Sequence, residues 1–205
     1  MHPWKEISLD DYENHMRLAS VRQLQTMNAM MAAQLAQPGI SSVMLLGAAG
    51  GNGLEHADSR KLQKIFAVDI NAEYLRVCRD RFPELDGVMD CICADLSAEP
   101  MLPHADLVIA NLLVEYIGYP CFQRVIQTVQ PKFVSCGIQI NTDNGFVSDS
   151  PYLHVFDRLE EVHRQMDAAA LTTALSDIGY RLTGQHSYPL PNGKQLMRLD
   201  FSNIM

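Results

Sequence analysis

The chain has 205 residues and a formal charge of −8, with 47% hydrophobic and 20% charged residues. That is long enough for one domain whose core needs neither disulfides nor metals. Without a single Lys/Arg run, the acidic balance excludes a phosphate-neutralising nucleic-acid surface. No apolar stretch reaches the length of a membrane span, and the opening MHPWKEISLDDYE lacks the basic-then-apolar pattern of a signal peptide. The 5 cysteines (Cys78, Cys91, Cys93, Cys121, Cys136) are odd in number and form no C-x-x-C pair, so the expectation is a reduced, cytoplasmic protein with no metal site.

Asp10 to Gln37 reads as one long amphipathic helix. Met16, Ala19, Leu24, Met27, Met31 and Leu35 fall near helical spacing, and Pro38-Gly39 ends the pattern. A methionine stripe of this kind ordinarily packs on a core. Its first turn, Tyr12 to Met16, is more polar than packing requires and suits a lid. Residues 1–38 are therefore expected to form a packing or lid segment on a single compact domain completed by 39–205.

Val43 to Leu46 is a short apolar run broken by Gly47-Ala48-Ala49-Gly50-Gly51-Asn52-Gly53. It reads as a strand buried on both faces, followed by a turn at which a ligand approaches the main chain. A helix is expected over Leu54 to Leu62, its free N–H groups facing the turn. Lys64 to Asp69 is the second strand. Asn71 caps a helix that carries Tyr74, Leu75, Cys78 and Phe82 on its apolar side. Val88 to Ala94 and Asp106 to Ala110 are the third and fourth strands, with a helix near Cys121 to Val129 and a fifth strand over Lys132 to Ile140. Strands alternating with helices imply βαβ units and a largely parallel sheet.

Beyond Asn141 the rhythm changes. Asn141 to Phe156 is irregular and aromatic. Asp157 with Glu160 has the form of a capping box for a helix running to Ile178 and closed by Gly179. Two β-like runs, Tyr180 to Leu190 and Lys194 to Phe201, flank Asn192-Gly193, the signature of a hairpin with a type I′ turn.

Ligands of open α/β sheets lie outside the carboxyl ends of the strands, where strand order reverses. Three strand ends here carry suitable groups: the Gly47–Gly53 loop, Asp69 and Asp95. Asp69 follows Gly47 by roughly twenty residues, the distance at which an acid reaches a ribose diol. Asp95 suits an exocyclic amine. The loop does not match G-x-G-x-x-G in register, lacks the Lys of a P-loop, and holds no cation for a phosphate.

These stretches resemble the class I S-adenosylmethionine-dependent methyltransferases, in their small-molecule branch. VMLLGAAGGNG resembles the family's first motif, and FAVDINAEYLRVCRDRF, CICADLS and ADLVIANLLVEYIG its second to fourth segments. The resemblance implies a Rossmann-like fold: a mostly parallel seven-stranded sheet ending in an antiparallel hairpin, here with the long N-terminal helix added. It implies S-adenosylmethionine as cofactor and S-adenosylhomocysteine as product. Gly47, Ala48, Ala49, Gly51, Asn52, Asp69, Ile70, Asp95, Leu96 and Asn111 are the implied cofactor contacts.

Methyl transfer to a small-molecule acceptor by in-line displacement follows, without nucleic-acid or membrane partners and with the oligomeric state open. His15, Glu115, Tyr116 and His154 are the candidate catalytic groups by location. The Asn141–Phe156 insert, with Phe146, Tyr152, His154 and Phe156, is the candidate for acceptor contacts. The chain departs from the family pattern in four places. Leu45 stands where an acid is usual, with Glu55 the candidate to compensate; Ala49 replaces the central glycine; and Tyr116 stands in place of a histidine. Leu112-Leu113 replace the prolines of amino-directed enzymes, so nucleobase or glutamine methylation is not expected. Leu45 favours the alternative of a cofactor-binding protein without turnover. A nucleotide-dependent oxidoreductase is the remaining alternative, disfavoured by the broken fingerprint.

Overall fold

A computed structural model describes residues 2–141 and 145–204. Seven strands form one sheet: β1 Ser42–Leu46, β2 Lys64–Asp69, β3 Met89–Cys93, β4 Leu107–Asn111, β5 Phe133–Ile140, β6 Tyr180–Pro189 and β7 Gln195–Asn203. Their order is β3-β2-β1-β4-β5-β7-β6. The first five are parallel, and β7 is inserted antiparallel between β5 and β6. The chain leaves β1 toward β2 and β3, then returns to the other side of β1 at β4. That reversal puts a crevice at the carboxyl ends of β1 and β4.

Consecutive strand residues face opposite sides of a sheet, and both sides here are covered. Val43, Leu45, Ile65, Ala67 and Ile109 pack with Met31 of α2 (Gln23–Leu35) and with Leu75 and Cys78 of α3 (Ala72–Arg81). Met44, Leu46, Val68, Val108 and Ala110 pack with Val125 and Ile126 of α4 (Val114–Val129) and with Leu171 and Leu175 of α5 (Ala168–Ser176). Burial on both faces is why the strand sequences are continuous apolar runs.

Three helices and one turn differ from expectation. The long N-terminal helix is two: α1 (Leu9–Arg17) and α2. Leu18 leaves helical geometry at ψ 143°, Arg22 takes φ +54°, and Val21 between them is fully buried. One straight helix could not both cross the sheet's carboxyl edge, as α1 does, and lie along its face, as α2 does. After the glycine loop only a single 3₁₀ turn forms, Leu54–His56. Asp58 ends it, because its carboxylate takes the backbone and side chain of Arg60 instead of continuing a helix.

The helix expected from Asp157 to Ile178 is a 3₁₀ stretch, Leu153–Glu161, followed by α5. Asp167 caps α5 by accepting from the Ala170 N–H, whereas Asp157 faces His154. In the hairpin only Gly193 has positive φ, +82°. Leu190-Pro191-Asn192-Gly193 closes through Gly193 N–H to Leu190 O, and Leu190 N–H returns to Lys194 O. That is a type I turn with a glycine bulge, for which Pro191 fits the second position, and not type I′.

Candidate functional site

A cavity of about 240 Å³ opens at the crevice. Gly47 and Ala49 line it from the end of β1, Asp69 and Ile70 from β2, Asp95 and Leu96 from β3, and Asn111 with Leu112 and Leu113 from β4. Trp4 and Tyr12 close it from the N-terminal segment, Tyr116 and Ile117 from α4, and Arg164 from the rim.

Asp69 is nearly buried, and burial pushes its carboxyl above the ordinary range. Backbone N–H groups counter that: Ala49 donates to Oδ2 at 2.9 Å and Asn71 to Oδ1 at 2.8 Å. Each oxygen keeps a lone pair for a ligand hydroxyl. Asp95 caps the turn Leu96–Ala98. Burial raises its pKa, but the Ser97 hydroxyl at 2.6 Å and N–H at 2.9 Å outweigh it and hold the group ionised.

The loop residues divide by role. Gly47 (φ +69°) brings the chain over β1 against Leu113. Ala49 takes φ +46°, a left-handed backbone that glycine adopts without cost. Gly51 faces inward: a Cβ there would stand 2.7 Å from Cys78 Sγ and Phe82. Asn52 donates to Leu24 O and accepts from Asn28, tying the loop to α2, and with Ala48 it lines a smaller space behind the loop. The Asn111 amide pairs reciprocally with Gln34 at 2.9 Å, so its side chain is held by α2 and only its backbone is left for a ligand.

An acid from another element lies near the glycine loop. Leu45 is buried in the apolar layer, while Glu13 of α1 reaches the loop from above. Glu13 pairs with Arg81 through both oxygens, at 2.5 and 2.9 Å, and Arg81 also donates to Gly50 O. Glu55 is elsewhere, accepting from Gly53 N–H. Tyr12 lies among Asp69, Glu13 and Glu115; burial first, then these acids, keep its phenol protonated far above its usual range.

A second, smaller space of about 50 Å³ adjoins the first across Trp4, Tyr12, Leu112 and Tyr116. His15, Glu115, His163, Phe146 and Phe156 line it. Three of the four candidate catalytic residues thus meet: Tyr116 borders both spaces, and Glu115 and His15 border the second. His154 does not join them; its side chain is 91% exposed and faces Asp157. Of the insert, Phe146 and Phe156 line the second space, Tyr152 lines neither, and positions 142–144 lie outside the described residues.

Glu115 is 2% exposed, and burial pushes its pKa up to about 7 against the backbone amides of Glu115 and Gln139. His163 stacks on Phe146 at 4.0 Å, and burial with nearby Lys194 lowers it to about 4. His15 bonds Ser150 through Nδ1 at 2.8 Å and is lowered by the same two causes. Trp4, Tyr12 and His163 carried weak sequence signals: Tyr12 lay in the polar first turn, while Trp4 and His163 stood in no pattern.

No protein-family model matches the sequence, and no curated protein resembles it at the sequence level. Solved structures do match the fold. The N-methyltransferase NodS from Bradyrhizobium japonicum WM9, in complex with S-adenosyl-L-homocysteine, is 11% identical with a TM-score of 0.68, over 96% of this chain and 98% of its own. Magnesium protoporphyrin IX methyltransferase from Synechocystis PCC 6803, also with bound S-adenosylhomocysteine, is 12% identical with a TM-score of 0.65, over 94% and 87%. The [4+2]-cyclase SpnF is 11% identical with a TM-score of 0.68, over 91% and 83%. Among the described residues no helix is long and apolar enough to cross a membrane, and no group of three His, Cys, Asp or Glu is placed to hold a metal. The chain has the fold of the class I S-adenosylmethionine-dependent methyltransferases.

Proposed function

We propose that the protein binds S-adenosylmethionine in the larger cavity and transfers its methyl group to a small-molecule acceptor. One observation carries the reading: two acids on adjacent strand ends, Asp69 and Asp95, face a glycine turn that holds no cation. Asp69 would hold the ribose hydroxyls and Asp95 the adenine amine, with Ile70 and Leu96 against the base. The backbone of Gly47, Ala49 and Asn111 would approach the methionine end. The bound sulfonium supplies the activated methyl group; the protein supplies position and a dry pocket. Ala48, Gly51 and Asn52 act at one remove, by shaping the loop. Residues 1–38 serve as a lid and packing segment, Trp4 and Tyr12 roofing the cavity while α2 packs on the sheet.

Asp69→Asn keeps one acceptor and removes the charge. It is expected to cost about 1.5 kcal/mol per ribose hydrogen bond, roughly tenfold in Kd for S-adenosylhomocysteine by calorimetry. Unchanged affinity in the folded variant overturns the site, and tight NADH binding with no response to S-adenosylmethionine overturns the cofactor. A binding protein without turnover is the second reading, favoured by Leu45; a [4+2]-cyclase among the structural neighbours shows that this fold is not confined to methyl transfer. Demethylated cofactor accumulating only when a metabolite extract is added separates enzyme from binder.

A further inference from the structure

The smaller space is where the structure is least economical. Glu115 projects into it from the first turn of α4, almost fully buried, and its Oε2 has no hydrogen-bond partner among the described residues. Burying a carboxyl with one oxygen unpartnered is costly, even though the backbone amides of Glu115 and Gln139 bond the group, and the empty oxygen calls for an occupant. Aromatic rings surround it. Trp4 stands edge-on to Tyr116 at 5.0 Å and to Tyr12 at 5.6 Å, His15 lies 4.8 Å from Phe156, and Phe146 backs the imidazole of His163.

No Lys or Arg lines this space among the described residues. Lys194 is close enough to lower both histidines, and its Nζ bonds the Gly145 carbonyl. Both histidines are therefore held toward the neutral form. An anion would find no Lys or Arg on the lining itself, and Lys194 beyond it is already engaged by that carbonyl. A cation would find a carboxylate and several ring faces, the combination that recognises ammonium groups. The volume of about 50 Å³ takes a few waters, or an ammonium with its adjoining carbons.

We propose that this space is the acceptor's head-group site, that it takes the ammonium of a small primary amine, and that Glu115 is the group that holds it. The proposal rests on the methyltransferase reading above. Its chemistry balances. The ammonium gives a proton to the Glu115 carboxylate, leaving a free amine and a neutral acid. The freed nitrogen lone pair then forms the N–C bond as the C–S bond of the sulfonium breaks, that pair remaining on sulfur. Tyr12 and Tyr116 border both spaces, so the head-group space and the cofactor cavity adjoin along these rings.

The test is ligand-observed NMR on the protein saturated with S-adenosylhomocysteine, using primary amines from methylamine to tyramine against alcohols and carboxylates of the same skeleton. At least one amine is expected to bind about tenfold tighter than its alcohol, with no carboxylate binding. Glu115→Gln and Glu115→Leu are both expected to abolish that preference while leaving S-adenosylhomocysteine affinity unchanged. Glu115→Leu is also expected to raise the melting temperature, since it removes a buried carboxyl oxygen that has no partner; a residue kept only for structure would lower it when replaced. No amine binding, equal binding of amine and alcohol, or amine binding that survives both substitutions overturns the proposal. Failure to bind S-adenosylhomocysteine at all overturns instead the reading on which it rests.

Discussion

At the scale of single residues, Glu115 should leave a signature in stability as well as in binding. Its ordinary pKa is 4.5 and burial pushes it up to about 7. Between those values the folded protein retains a proton that the unfolded chain has lost. The contribution of Glu115 to stability is thus complete below pH 4.5 and is lost as the pH rises through about 7. At 1.36 kcal/mol per unit the span is about 3 kcal/mol. His163 slopes the opposite way: its pKa is lowered from 6.5 to about 4, so its contribution is present above 6.5 and lost as the pH falls through about 4. His15 has the same sign, and partial exposure of His163 reduces its share by screening.

Tyr12 and Tyr116, which also face Glu115, stay protonated across this range. The opposing slopes flatten the wild-type profile, so the difference between Glu115→Leu and wild type is the informative quantity. Denaturant unfolding should show that difference moving by about 3 kcal/mol in favour of the variant between pH 4.5 and 7. A difference constant with pH would mean that the carboxyl is not held as a neutral acid.

At the scale of elements, the strands were legible and the helices only partly so. Lys64–Asp69 matches β2 residue for residue, and the other parallel strands shift by a residue or so, because an apolar run bounded by turn formers leaves few alternatives when both faces are buried. The carboxyl ends therefore came out correctly, and with them Asp69 and Asp95. Helical periodicity cannot register a bend that contains neither Pro nor Gly, so Leu18–Arg22 was invisible. Nor can it tell a 3₁₀ turn from the start of a helix, as at Leu153–Glu161. Glu13 lay in the polar first turn and Glu115 among the candidate groups by location, but their places beside the glycine loop and the aromatic rings are products of tertiary packing.

Capping tests the boundary that was misread. Asp167 accepts from Ala170 N–H at 2.8 Å, while Asp157 caps nothing. Asp167→Ala should cost about 1 kcal/mol in chemical unfolding, and Asp157→Ala less than about 0.5. Equal losses would place the helix start where the sequence pattern put it.

At the scale of the molecule, the N-terminal segment is fastened to the helix that directly follows Asp69. Asn71, whose N–H binds Asp69, also donates its side-chain amide to Trp4 O at 3.0 Å. The Tyr74 hydroxyl donates to Ile7 O at 2.8 Å, and Arg81 holds Glu13. All three partners belong to α3 or its cap, directly after β2. From this segment Trp4 roofs both the larger cavity and the smaller space, and Tyr12 borders these and the space behind the loop as well. On the lid reading proposed above, an adenosyl ligand passes this roof to reach Asp69.

On that reading the segment opens for entry and is held more firmly once Asp69 is engaged. Bound S-adenosylhomocysteine is expected to slow backbone amide exchange across residues 3–17 and α3, with little change in α5, which packs on the same sheet well away from these tethers. Arg81→Met should remove much of that slowing in α1 by freeing Glu13, while Asp69 keeps its backbone partners. If the bound ligand slows exchange at the ends of β1 and β2 but leaves α1 as in the free protein, the segment is packing and not a lid, and access to Asp69 must lie on the rim beside Arg164.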